Sequence, residues 1–300
     1  MFLKEYYEFS IDDKTFISQW TIASACDYVY YSSFFNSANR EHFGFSSLPV
    51  VISQCPERPA IIMCRFKDGE IRRLLSLCAN KTRYNYIIVQ TLIGDDGYLN
   101  RTDLNNIPPN VARIYSKNIP YSHPNLIPIP IGRDWRVIAQ GCSNSFTRTD
   151  LKAFKNLAYM NFSVETNSRL RDFVYRKFSQ ERWVTTRRPV GYLKYEIDHC
   201  AFVAEMHDHI FSFSPIGRAI DCYRTWDALF AKSIPVIDDC PQMRTFERLP
   251  VIFTKDWSDI SERHLRQQFD RLQTVDLDVE PLFAEYWKRR IRRDFVDLCT

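Results

Sequence analysis

Residues 211–235 read FSFSPIGRAIDCYRTWDALFAKSIP. The β-type apolar run Ile210, Phe211 and Phe213 stops at Ser214-Pro215, and a short turn carrying Gly217, Arg218 and Asp221 follows. A segment of helical character then opens with Arg224, Thr225, Trp226 and Asp227, and a second apolar strand begins at Ile234. Strand, Gly-containing turn, helix and strand in this order predict a βαβ unit. In such a unit the turn leaves backbone N–H groups free and the helix N-terminus carries partial positive charge, which suits a phosphate group. Arg218 and Arg224 would add the fixed charge that a diphosphate needs. The plainer alternative is a surface Arg pairing with Asp221 or Asp227, with Asp227 as an ordinary first-turn carboxylate.

Working outward, the same strand–helix rhythm recurs. Apolar β-type runs lie at 60–64, 86–92 and 111–115, with helical spacing of Ile71, Leu74, Leu75 and Cys78 between the first two. The second half predicts strands near 157–162, 183–187, 211, 234 and 251, and helices near 167–178, 192–204, 225, 259–272 and 281–298. Alternation of this kind predicts an α/β chain with parallel sheets. With 300 residues there is room for two cores. Residues 133–154 are polar and without period, so the expected domains are 1–140, 141–280 and a C-terminal helix, 281–300, that crosses back to the first domain.

Ser214, Pro215, Gly217, Arg224, Asp227-Ala228-Leu229 and Ile234-Pro235-Val236 form a spaced series. At these residues the chain resembles the exostosin-type glycosyltransferases, whose second domain carries a Ser-Pro-x-Gly turn, an Arg, an acidic residue before Ala-Leu and a Gly-x-Ile-Pro-Val strand. Ser233 stands where that family has Gly or another small residue, and Asp227 where many members have Glu. A second segment, Asn161-Phe162 followed by Thr166, Asn167, Arg169 and Arg171, is similar to the family's Asn-Phe then Thr-x-x-x-Arg stretch; helix capping by Thr166 or Asn167 accounts for it equally well.

The resemblance implies a GT-B fold, two Rossmann-like domains facing each other across a cleft. It also implies a nucleotide-sugar donor, such as UDP-xylose or UDP-glucuronate, and transfer to a glycan hydroxyl with inversion. Arg224 would hold the departing diphosphate, so that neither metal nor cofactor is required, and Asp227 the ribose. Ser214, Pro215 and Gly217 would shape the turn, with Arg218, Asp221, Thr225, Asn161 and Arg169 beside it. The base would rest near 185–188, which brings in Arg187. The catalytic base is expected from the first domain, at Asp95 or Asp96 after the 86–92 strand. Lys67 and Asp68 are rivals, and Asp96-Gly97 is also a plain turn signal. Asp95-Asp96 and Asp238-Asp239 lack the spacing of a metal-binding pair. Two other readings stay open: a glycan-binding module without transfer, and a two-domain nucleotide-sugar epimerase.

A net charge of +4, from 40 basic and 36 acidic residues, is too balanced for a nucleic-acid binder. Lys288-Arg289-Arg290 and Arg292-Arg293 form the one basic run, a solvated helix face or a peripheral contact with an anionic membrane. Nine cysteines without Cys-x-x-Cys spacing predict free, mostly buried thiols in a reducing compartment. With no apolar run approaching ~18 residues and no signal-like N-terminus, the expected location is cytoplasmic.

Overall fold

In the computed structural model of the chain, the described residues are 1–10, 16–30, 50–65, 69–92, 99, 101–133, 146–147, 154, 156–187, 191 and 197–299. In chain order the first half forms α1 (Leu3–Glu8), α2 (Gln19–Ala23), β1 (Tyr28–Tyr30), β2 (Val50–Ile52), β3 (Ala60–Arg65), α3 (Glu70–Ala79), β4 (Tyr86–Leu92), α4 (Arg101–Asn105), β5 (Val111–Ser116) and β6 (Leu126–Pro128). The second half forms β7 (Asn156–Met160), α5 (Ser168–Phe178), β8 (Val184–Thr186), α6 (His199–His207), β9 (His209–Phe213), α7 (Tyr223–Phe230), β10 (Ile234–Asp238), α8 (Pro241–Arg244), β11 (Ile252–Thr254), α9 (Glu262–Gln273) and α10 (Ala284–Cys299).

These elements make two compact units, each an α/β unit around one parallel sheet, which is the expected fold class. One comprises Ile17–Ile131 with Phe283–Thr300, the other Met1–Phe16 with Gly132–Leu282. The division at Ile131/Gly132 lies upstream of the expected residue 140, and residues 1–16 belong with the second sheet although they precede the first in sequence. Side-chain chemistry explains the latter. Helix α1 buries Leu3, Tyr6 and Tyr7, and the Tyr6 hydroxyl donates to the Leu229 carbonyl at the end of α7. The Met1 ammonium pairs with Asp276 at 2.7 Å.

The first sheet has the order β2-β1-β3-β4-β5-β6. Its inner strands are continuous apolar runs because a parallel sheet is covered on both faces; Ile61, Ile62, Ile87, Ile88 and Val89 are fully buried. Helix α3 lays Ile71, Leu74, Leu75 and Cys78 on the sheet, one face of a 3.6-residue period. Helix α10 belongs to this unit, burying Trp287 and Ile291 while Asp294 accepts from the Tyr115 hydroxyl and Arg292 pairs with Asp27 at 2.9 Å. Arg292 is therefore already paired with an acidic residue, and Lys288 faces Glu285 at 3.8 Å, so part of the basic run is internally neutralised.

The second sheet has the order β11-β10-β9-β7-β8. Its core is aromatic: Phe178, Phe213 and Trp257 meet edge to face, with ring centres 4.9–6.4 Å apart. The chain leaves α7 through Lys232, which holds the left-handed conformation at φ 60 and buries its side chain completely. Its ammonium donates to the Tyr6 carbonyl at 2.8 Å and lies 4.1 Å from the Tyr6 ring centre. Burial pulls the Lys232 pKa down to about 7. Between about pH 7 and the ordinary lysine value the unfolded chain therefore binds a proton that the folded chain refuses, so stability rises with pH across that window. Lys232→Met is expected to flatten this rise in a series of thermal melts from pH 7 to pH 10.

Cysteine usage departs from expectation. Cys200 is disulfide-bonded, while Cys26, Cys55, Cys64, Cys78, Cys222, Cys240 and Cys299 are free thiols. A disulfide removes the argument that all thiols sit in a reducing compartment. No helix among the described residues is long and apolar enough to cross a membrane.

Candidate functional site

The second sheet starts at β7, steps outward to β8 on one side, then returns to place β9 on the other side of β7. The loops after β7 and β9 therefore leave the carboxyl edge of the sheet in opposite directions and open a crevice, the topological switch point where α/β sheets bind ligands. The two stretches singled out in sequence, Asn161-Phe162 and Ser214–Gly217, are these two loops.

The turn after β9 is held from every side. The Ser214 N–H donates to the Val236 carbonyl at 2.9 Å, the Ile216 N–H to the Asp238 carboxylate at 2.7 Å, and the Gly217 N–H to the Ala219 carbonyl at 3.3 Å. Pro215 has no N–H. The expectation that this turn offers free N–H groups is thus corrected: Asp238, at the end of β10, takes the central one. Burial pushes the Asp238 carboxyl up, against the opposing hydrogen bonds from Ile216 and Trp257. Ser214 and Thr225 bond hydroxyl to hydroxyl at 2.9 Å, both buried, which ties the turn to α7.

Two guanidinium groups flank the crevice. Arg171 is buried on the core-facing row of α5 with Val174 and Phe178. It donates to the carbonyls of Pro215 at 2.8 Å, Ile216 at 3.2 Å and Ser163 at 3.0 Å, and to the Thr166 hydroxyl. It thereby staples the loop after β9 to the loop after β7. Arg224, half-buried in the first turn of α7, donates through Nε to the Asn161 carbonyl at 2.8 Å. Among the described residues its two Nη groups have no partner, and neither Arg171 nor Arg224 forms an ion pair. The Phe162 ring lies between them, 5.4 Å from Arg171 and 5.5 Å from Arg224. Burial, and then the Arg171 charge, pull the Arg224 guanidinium below its ordinary pKa. An under-neutralised buried cation is unfavourable by itself, and an anion relieves it. Helix α7 also starts at Cys222 without a side-chain cap, so its first N–H groups add to the positive end.

The other expected residues divide into four groups: buried, ion-paired, exposed and outside the described residues. Asp227 is buried and faces Arg133 at 3.2 Å and His199 at 3.6 Å. Burial raises its pKa, but the two basic partners outweigh this and hold the carboxyl below its usual range. Asp221 is buried and accepts from the Trp226 indole at 2.7 Å, anchoring the entry to α7. Arg187 is ion-paired with Glu205, whose Oε2 also accepts from the Tyr159 hydroxyl at 2.6 Å; that hydroxyl accepts in turn from Asn161 at 2.9 Å. Arg169 and Arg218 are exposed. Asp95, Asp96, Lys67 and Asp68 lie outside the described residues, as does Arg188. Among the described residues no group of three His, Cys, Asp or Glu side chains is placed to hold a metal ion.

No protein-family model matches the chain, and no curated protein does. Among solved structures it is similar to an α1,3-fucosyltransferase at 11% identity and a TM-score of 0.49, over 90% of this chain and 89% of that one. The α1,3-fucosyltransferase with GDP-fucose aligns at 8% identity and a TM-score of 0.48, over 90% and 89%. The UDP-forming α,α-trehalose-phosphate synthase from Burkholderia vietnamiensis aligns at 8% identity and 0.39, over 79% and 72%. The chemistry of the site is therefore read from its own side chains.

Asp238, Arg133 and His199 were absent from the expected site set, and Arg171 entered it only as part of the Asn161–Arg171 stretch, without a role of its own. The signal for Arg171 was available: a charged residue at the position i of an apolar i, i+3, i+7 row is either misplaced or engaged. Its engagement also explains Gly217, where a Cβ would stand 2.6 Å from Arg171 Nη2 and 3.1 Å from its Cζ. Because three carbonyls, the Thr166 hydroxyl and the Cys222 sulfur hold that guanidinium, it cannot swing aside. Gly217→Ala is expected to cost about 1–3 kcal/mol by overpacking, read as a lowered urea midpoint at unchanged slope.

Proposed function

We propose that the chain is a glycosyltransferase of the GT-B, exostosin-like type. It transfers a sugar from a nucleoside diphosphate, a UDP-sugar by the resemblance, to a glycan hydroxyl with inversion. The observation that carries this reading is the pair of guanidinium groups at the switch point, which among the described residues have no carboxylate partner and one of which has no partner on either Nη group. Arg224 meets the diphosphate, and Arg171 behind it holds the loops and adds charge. As the bond between the anomeric carbon and the phosphate oxygen breaks, negative charge grows on that oxygen. A preorganised guanidinium stabilises this charge more than it stabilises the ground state. The acceptor oxygen attacks the opposite face and its proton passes to a base, assigned to Asp95 or Asp96 on sequence position alone. Asp227, ion-paired with Arg133 and beside His199, is assigned to the ribose hydroxyls.

The test is a thermal-shift panel of UDP, GDP, dTDP and CMP without added metal. A nucleotide that binds only the folded state raises its melting temperature by mass action, about 2.7 kcal/mol of stabilisation at a hundredfold excess over Kd. UDP is expected to give the largest shift. No shift with any of the four would overturn the reading and leave the glycan-binding alternative ahead.

A further inference from the structure

We propose that Cys55 and Cys78 are an oxidation site, a thiol pair that hydrogen peroxide converts to a disulfide. Cys55 lies in the turn between β2 and β3, Cys78 in the last turn of α3, and both belong to the core of the first sheet. Their sulfur atoms are 3.4 Å apart. A disulfide needs about 2.05 Å, so the atoms must close by roughly 1.4 Å. Both backbones are held for this approach. The Tyr86 hydroxyl donates to the Pro56 carbonyl at 2.7 Å, and the Asn110 amide donates to the Cys78 carbonyl at 2.9 Å.

The two thiols differ in access, which assigns their roles. Cys55 keeps 5% of its surface exposed, whereas Cys78 keeps none. Either sulfur can donate across the contact, so a thiolate formed at Cys55 is held by the Cys78 proton, with Lys81 assisting and burial opposing. Cys55 is thus the attacking thiolate and Cys78 the resolving thiol. The Cys55 thiolate attacks one peroxide oxygen, the O–O bond breaks, and hydroxide leaves, giving a sulfenic acid. The Cys78 sulfur then attacks the Cys55 sulfur, the S–S bond forms, and the sulfenic oxygen leaves as water with the Cys78 proton. Two thiols and one peroxide give one disulfide and, once the hydroxide is protonated, two waters.

The ring so closed contains all of β3 and most of α3. It sits where β3 begins and α3 ends, at the amino edge of the sheet, so the carboxyl edge keeps its geometry. Fewer unfolded conformations remain, and the folded unit gains stability.

The experiment treats the full chain with two equivalents of hydrogen peroxide, blocks free thiols under denaturing conditions, and maps peptides without reduction. The expected result is a Cys55–Cys78 linked peptide and a melting temperature raised by about 5 °C or more. Dithiothreitol should reverse both, and Cys55→Ser should abolish both. A link from Cys78 to Cys64, a Cys55 sulfinate without a link, or both thiols still free after treatment would each overturn the proposal. The wild-type peptide map decides even where Cys55→Ser does not fold.

Discussion

Arg224→Met is expected to weaken UDP binding by about 10²-fold while leaving the melting temperature unchanged or raised. The loss follows from the free Nη groups, since charge-assisted hydrogen bonds contribute about 1.5–3 kcal/mol each. In the transfer reaction the same variant should lower kcat/KM by about 10²–10³-fold, the range for removing a donor from developing negative charge. Stability should move the other way for an electrostatic reason. Among the described residues Arg224 has one hydrogen bond, to the Asn161 carbonyl, and no ion pair, and a second cation stands behind it. A methionine keeps the stem beside Phe162 and removes the uncompensated charge. Isothermal titration and thermal melts on one preparation check both halves. A variant that binds UDP as well as wild type would remove Arg224 from the site. A variant that loses stability and affinity in proportion would make it a structural residue.

Arg171→Met should behave in the opposite way, losing stability first. Its guanidinium satisfies three carbonyl groups and a hydroxyl on two loops. Buried carbonyls left without donors cost about 1–3 kcal/mol each and are not additive, so a loss of about 3–5 kcal/mol is expected. In a unit of this size that lowers the melting temperature by roughly 10 °C. Affinity for UDP should fall as well, because the turn Ser214–Gly217 is positioned by this residue and by Asp238. Arg171→Lys separates the contributions. A lysine restores the charge but cannot reach carbonyls in three directions. It should recover part of the affinity and little of the stability. Equal recovery of both would mean that charge alone matters, and wild-type stability in Arg171→Met would remove the loop clamp.

Reading the two variants together distinguishes a ligand contact from a positioning residue. Gly217→Ala links them, because its added carbon strikes the Arg171 guanidinium. The Lys232 pH series is independent of all three, since Lys232 lies beside α1 and contacts neither loop.

The sequence by itself determined what depends on neighbours a few residues away. Continuous apolar runs marked the buried parallel strands, the spacing of Ile71, Leu74, Leu75 and Cys78 marked α3, and the Ser-Pro-x-Gly turn before Arg224 marked the crossover from β9 to α7. These are local because strand and helix periods repeat within one or two turns. Only the tertiary structure decided the rest. It set Arg171 against carbonyls more than forty residues away, put Asp227 between Arg133 and His199, filled the Ile216 N–H with Asp238, and assigned residues 1–16 to the second sheet. Each is a pairing of buried polar groups across separate elements. Burial forces such groups to find partners, but their identity depends on which loops the strand order brings to the same edge.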